Sequence, residues 1–337
     1  MNTLQTLHNR INYMDAIKTL AMFLVIWGHC ILHLSSWNKN DDIVFVVINT
    51  FHVSLFMMVA GYFSTSSLSL GFGKMLLNKT KQLIIPCLLW GGIITLLCVY
   101  YCHDTSKIIA DFFDCLWFLK SLFFCYILAF IAMRLGTAPT VLVILASMVL
   151  TIFKMNVMFP AFMLGIFIKK KELAGVEIGK RWVLWLTLSV FVFMAYFYDG
   201  HYFNSPNRIM GIIKEGSLST WLAYFGKTAY RILIGNCGAL SVFLIFRGLF
   251  KSMDNNIICK IGRETLGIYI LQAVLLETIL KQYITFYGDH AVMDFVIAPT
   301  LSLIMMVLCY SITIVLSKNK ITGQLLLGKY PKNTDHK

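Results

Sequence analysis

Long apolar runs separated by short polar segments make up nearly the whole chain. They fall at 13–34, 43–64, 83–101, 116–134, 140–153, 156–168, 182–198, 229–250, 265–284 and 292–316. Most are long enough for a helix to cross the hydrocarbon core of a bilayer, which takes about 20 apolar residues. The pattern predicts an all-α, polytopic transmembrane bundle of about ten spans, forming one integral membrane domain over residues 1–337. The fifth and sixth runs are short and read as a tight helical hairpin, so the count ranges from eight to eleven. No small-residue cleavage site follows the run Met14 to Leu34, which is therefore expected to be the first span rather than a removed signal.

Composition points the same way. Hydrophobic residues are 58% of the chain and charged ones 13%, about half the share of an ordinary soluble domain. Such a chain has no water-facing exterior, and a bilayer is the solvent that lets apolar side chains face outward without cost. The net charge is +13, and its placement tests the span count. With ten spans, nineteen Lys and Arg residues fall in the segments of one side and six in those of the other, where most loop Asp and Glu also lie. Loop Lys/Arg bias sets orientation, so both termini are expected in the cytoplasm, in a multi-pass protein of the cell membrane. The basic residues are spread over separate loops, which argues against a nucleic-acid partner. Residues 199–228, rich in Gly, Ser, Asn and aromatics, form the longest segment outside the runs and suit a lid or an interfacial piece.

Most of the nine cysteines sit inside apolar runs, where Cys behaves as a small hydrophobe. The cysteines suggest nothing covalent; only Cys102 and Cys115 are able to meet outside the membrane. No CxxC or Cys/His ligand spacing is present, so no metal site is expected.

Ionisable side chains inside membrane helices are costly and by default mark function. They concentrate in the first run, as Asp15, Lys18, His29 and His33. On a regular helix at about 100° per residue, all four fall within a sector of about 60°, with Trp27 opposite. Lys18 to His29 spans about 16 Å of rise, roughly half the hydrocarbon thickness. One face thus carries a cation at the cytoplasmic boundary and an imidazole deep in the membrane. Each residue also has a plainer reading. Lys18 serves equally as a snorkelling anchor, Asp15 as its neutralising partner, and His33 as a satisfied core residue. The shared face is what singles out His29.

These residues carry a resemblance. Tyr13 to His29, with its cation and a later His, resembles the opening of the integral-membrane acyltransferase 3 family, which shows Arg or Lys followed by His. Phe51-His52-Val53-Ser54-Leu55-Phe56 through Ala60-Gly61-Tyr62 is similar to that family's Phe-His-x-Pro-Leu-Phe element and its small-residue close. Lys79 to Pro86 resembles its basic segment. Leu116-Trp117-Phe118-Leu119 and Leu266 to Gln272 look like later landmarks. The closest flavour is the fucose 4-O-acetylase-like branch. Departures are Ser54 for Pro, Ala60 for Ser, Gln82 for a second Arg, and Gln272 where many members have His.

The resemblance implies transfer of an acyl group, usually acetyl, from acyl-CoA as donor substrate to a hydroxyl of a saccharide or lipid-linked glycan, with no bound cofactor. His29, Lys18 and Asp15 become the candidate catalytic set, with His29 as general base or acyl carrier. Lys79 and Lys81 are candidates for CoA phosphates. His52, Trp117, Tyr269 and Gln272 are candidates for lining the substrate cavity, although His52 also reads as an interhelical hydrogen bond and the aromatics as packing. Glu277 reads as the i,i+4 partner of Lys281. The competing functional class is a membrane carrier for a lipid-linked sugar or small solute, which would share a polar interior but consume no acyl-CoA.

Overall fold

A computed structural model describes residues 11–103, 106, 108–176, 178–204 and 209–330. Arg10, Lys107, Arg208, Lys332 and Lys337 of the charge tally lie outside the described residues, as does the side chain of Cys102. The thiol of Cys115 donates to the Phe112 carbonyl at 3.2 Å.

Among the described residues the chain is helical, with no strand and a single isolated bridge between Ser35 and Phe286. The apolar runs become α1 (Asn12–Leu34), α2 (Ile43–Tyr62), α3 (Phe72–Tyr101), α4 (Trp117–Leu135), α5 (Thr137–Ser147), α6 (Met155–Leu173), α7 (Arg181–Tyr196) and α8 (Leu218–Phe250). α9 joins α-turns over Thr265–Gln272, π-turns over Ala273–Ile279 and a 3-10 turn over Leu280–Gln282, and α10 runs His290–Lys318. Seven of these are long and apolar enough to cross a membrane; α5 and α7 are shorter. Large apolar side chains point outward along them, Leu96, Val192 and Leu303 being more than half exposed. In a bundle of this kind that surface suits lipid, and the protein is a multi-pass membrane protein.

Boundaries follow local chemistry. Asp42 caps α2 by accepting from the Phe45 amide at 2.8 Å. α8 begins at Leu218 rather than near residue 229, because Ser217 caps it by accepting from the Thr220 amide. Much of the expected loop 199–228 is therefore helix. α6 reaches Leu173, past the expected end at 168, so of the fifth and sixth runs only the fifth is short.

Three π-helical stretches occur among the described residues. Thr80–Ile84 precedes Pro86 and Met293–Ile297 precedes Pro299. In each case the proline lacks an N–H and its ring crowds the carbonyl four residues back, so a widened turn relieves the conflict. The third, Ala273–Ile279, has no proline near it.

α2 and α6 cross where glycine faces backbone. A Cβ on Gly61 would stand 1.9 Å from the Phe162 carbonyl oxygen, and one on Gly165 the same distance from that of Met58. Small residues let membrane helices approach this closely. α1 packs against α2, α9 and α10, and this central position gives its polar face a cavity to line.

Candidate active site

A cavity of about 360 Å³ runs alongside α1 between α2, α3, α4 and α9. α1 lines it with Lys18, Met22, Val25 and His29. Their spacing of four, three and four residues is that of one helix face. The wall opposite includes His52 and Phe56 of α2, Lys79 of α3, Trp117 and Tyr126 of α4, and Tyr269 and Glu277 of α9.

One end of the cavity is cationic. Asp15 is buried and pairs with two cations: Lys18 Nζ lies 2.8 Å from Oδ1, and Arg263 Nε 3.1 Å from Oδ2. The short helix Ile257–Arg263 delivers Arg263, and Gly262 allows it to dock. A Cβ on Gly262 would stand 1.9 Å from the Asp15 carbonyl oxygen. Asp15 does not line the cavity; it fixes the two cations that do. Lys18 also lies 5.0 Å above the Phe63 ring. Lys79 is buried, donates to Gln82 Oε1 at 2.9 Å and sits 4.1 Å over the Tyr126 ring. Lys81, two residues on, points elsewhere, over the ring of Tyr330 at 5.8 Å, and does not line the cavity.

About 16 Å along α1, His29 meets α9. Its Nδ1 is 2.7 Å from Glu277 Oε1 and 3.2 Å from Gln272 Oε1, while Gln272 Nε2 donates to Glu277 Oε1 at 2.7 Å. Both neighbours of Nδ1 are acceptors, so Nδ1 carries the proton. In the neutral imidazole Nε2 then keeps its lone pair, and the carboxylate fixes the tautomer.

Glu277 is not the partner of Lys281. The i,i+4 expectation assumed a regular helix, but the π-turns insert a residue and bring positions five apart onto one face. Gln272 and Glu277 are five apart and bond to each other. Glu277 is thus the residue whose role sequence reasoning missed, as it missed Arg263, counted only as a topology charge.

His52 lines the cavity and makes its hydrogen bond within α2, from Nδ1 to the Ile48 carbonyl at 2.6 Å, rather than to another helix. Trp117 and Tyr269 line it too, Tyr269 against Phe118 at 5.5 Å between rings. Gln272, fully buried, touches His29 from behind.

His33 Nε2 stands 3.9 Å from Glu277 Oε2, and its ring lies edge-on to His29 at 5.8 Å. His29, His33 and Glu277 offer ligand atoms within 4.8 Å of one another, the one such group among the described residues. Ligands at about 2.1 Å around a tetrahedral zinc ion stand about 3.4 Å apart. This set is wider, and His29 Nδ1 is already engaged.

A cavity that joins cations at one end to a carboxylate-oriented imidazole at the other, inside an all-α membrane bundle, has the parts of a group-transfer site. The acyltransferase 3 family, described as an acyltransferase domain, matches residues 11–315, and the chain belongs to it. The chain is also similar to the nodulation protein NolL of Sinorhizobium fredii, with 30% identity over 110 residues that make up 31% of this chain and 27% of that protein's length. No solved structure matches it.

Proposed function

We propose that the protein transfers an acyl group, acetyl in the simplest case, from acyl-CoA to a hydroxyl of a saccharide or cell-surface glycan. The observation that carries this reading is the cavity itself, which begins at Lys18, Arg263 and Lys79 and ends at His29 paired with Glu277. Phosphates of CoA suit the cationic end, where charge-assisted contacts are strong, and the extended acyl-pantetheine arm suits the length between them. The orientation expected from loop charge supports a cytoplasmic position for that end, where CoA is available.

His29 Nε2 takes the proton from the acceptor hydroxyl as its oxygen attacks the thioester carbonyl carbon. The carbon–sulfur bond breaks, and the proton passes to the departing sulfur to give free CoA. Glu277 stabilises the imidazolium formed in between, and Gln272 holds Glu277 and His29 in register. Lys18 binds donor, and Asp15 positions Lys18 and Arg263. His52 and Tyr269 line the path of the acyl group.

The test is consumption of labelled acetyl-CoA by the purified protein in detergent, together with the O-acetyl content of surface glycans in cells with and without it. Turnover that disappears in His29→Ala supports the reading. Wild-type protein that binds no CoA and turns none over would refute it and favour a carrier.

A further inference from the structure

A second, smaller hollow lies against the other side of Trp117. Trp117 and Val53 line both spaces, and the polar wall of the second carries Asn49, Ser54, Lys154 and Arg231. The Lys154 ammonium sits over the Trp117 ring, 4.2 Å from its centroid. It is within electrostatic reach of Arg231 and Lys39, and also of His29 and His52.

These cations have no carboxylate partner among the described residues: neither Lys154 nor Arg231 is in an ion pair. Their hydrogen-bonding neighbours are neutral. Arg231 bonds to Tyr198, and Asn204 accepts from the Tyr198 hydroxyl at 3.0 Å and from Asn49 Nδ2 at 3.1 Å. Topology does not account for the cluster either. Lys/Arg gather on the cytoplasmic side of membrane proteins, whereas in the expected ten-span topology Lys39 and Lys154 fall on the sparse opposite side. Lys154 is also held in a left-handed backbone conformation, φ 57°, directly after Phe153 at φ 49°, a geometry that costs a non-glycine residue energy and clusters at functional sites.

The hollow is about 20 Å³, room for a water-sized group and not for a sugar ring. Lys154 itself is exposed, so the cluster is open to a ligand arriving from outside the bundle. The cations Lys18 and Arg263 lie at the far end of the main cavity, about 16 Å along α1 from His29, which leaves this pair free of the donor's phosphates.

We infer that Lys154 and Arg231 form an anchor for an anionic acceptor: they hold a carboxylate or phosphate group while the attached sugar passes Trp117 to place its hydroxyl at His29. This rests on the acyl-transfer reading above for the acceptor's role. The charge comes either from the sugar ring or from the diphosphate of a lipid carrier.

The experiment titrates the full-length protein in nanodiscs with glucuronate, inorganic pyrophosphate and, as a neutral match, glucose, each with and without saturating CoA. At least one anion should bind saturably, with glucose at least tenfold weaker and CoA failing to displace the anion. Lys154→Gln and Arg231→Gln should each weaken the anion about tenfold or more while CoA affinity stays within about twofold, and Lys154→Arg should retain binding. Preference for glucuronate assigns a ring carboxylate, and preference for pyrophosphate a carrier diphosphate. No saturable anion binding by the wild type, equal binding in both Gln variants, or displacement by CoA would overturn the inference. Acetyl-CoA turnover in the same preparations separates the two claims. An anion site that behaves as expected in a protein without turnover would sink the transferase reading and leave the anchor standing.

Discussion

α1 and α9 meet at one hydrogen-bonded cluster, yet they reach it by different geometry. α1 is a regular helix throughout, so Lys18, Met22, Val25 and His29 fall on one face by simple periodicity. α9 changes from α- to π-turns at Ala273, and only that change lets Gln272 and Glu277 bond across five positions and present a carboxylate to His29. The other two π-stretches precede prolines that demand them; this one has none. A widened turn without a proline costs hydrogen-bond geometry, and in α9 its return is the contact between Glu277 and His29. The comparison teaches that a regular helix advertises its functional face, whereas a distorted one conceals it.

The largest effect should come from α1. His29→Ala should reduce acetyl-CoA-dependent transfer by about a hundred- to ten-thousand-fold. Insertion should be unaffected, since hydrogen bonds between membrane helices average under about 1 kcal/mol; matched membrane expression checks this. Next comes α9. Glu277→Gln should lower kcat by about a hundredfold with little change in donor KM, because the tautomer and the imidazolium lose their carboxylate. Deleting Leu275 sharpens the comparison: it converts the π-stretch toward regular α-turns but leaves Gln272 and the carboxylate four apart on one face, so it should cost much less than Glu277→Gln. A loss as large as that of Glu277→Gln would show that the widened turn itself sets the contact with His29.

Smaller effects belong to the cationic end. Lys79→Gln should raise donor KM about tenfold, or about 1.4 kcal/mol, with less effect on kcat, and Lys81→Gln should do less because its ammonium lies over Tyr330 instead. Steady-state titration of acetyl-CoA separates the two. An unchanged KM in both would leave them as topology charges. His33→Ala should retain most activity, and treatment with a chelator should leave it unchanged. Loss of activity on chelation, restored by a divalent ion, would instead make His29, His33 and Glu277 a metal centre.

Much of this was legible in the sequence for a physical reason. Apolar runs and loop charge report directly on the bilayer, so the all-α membrane class and the run positions could be read before any coordinates. The face of α1 was legible because regular helices keep their phase, and Lys79, His52, Trp117 and Tyr269 followed from the resemblance and do line the cavity. Glu277 was not, because the wheel that pairs it with Lys281 fails once an extra residue enters the turn. Asp15 was legible as a partner of Lys18, but its second partner, Arg263, is 248 positions away and only the packing of the Ile257–Arg263 helix brings it there. The start of α8 was obscured by a serine cap inside a segment rich in loop-forming residues.

The central claim is that His29 and Glu277 act as one base assembled from two helices. The direct measurement is single-turnover acetyl transfer by His29→Ala, Glu277→Gln and the double variant, each at matched membrane expression. Residues that work as a unit are strongly non-additive. The account predicts that the double variant is no slower than His29→Ala alone, within about twofold. Losses that multiply, so that the double variant falls below His29→Ala by the full factor seen in Glu277→Gln, would contradict it.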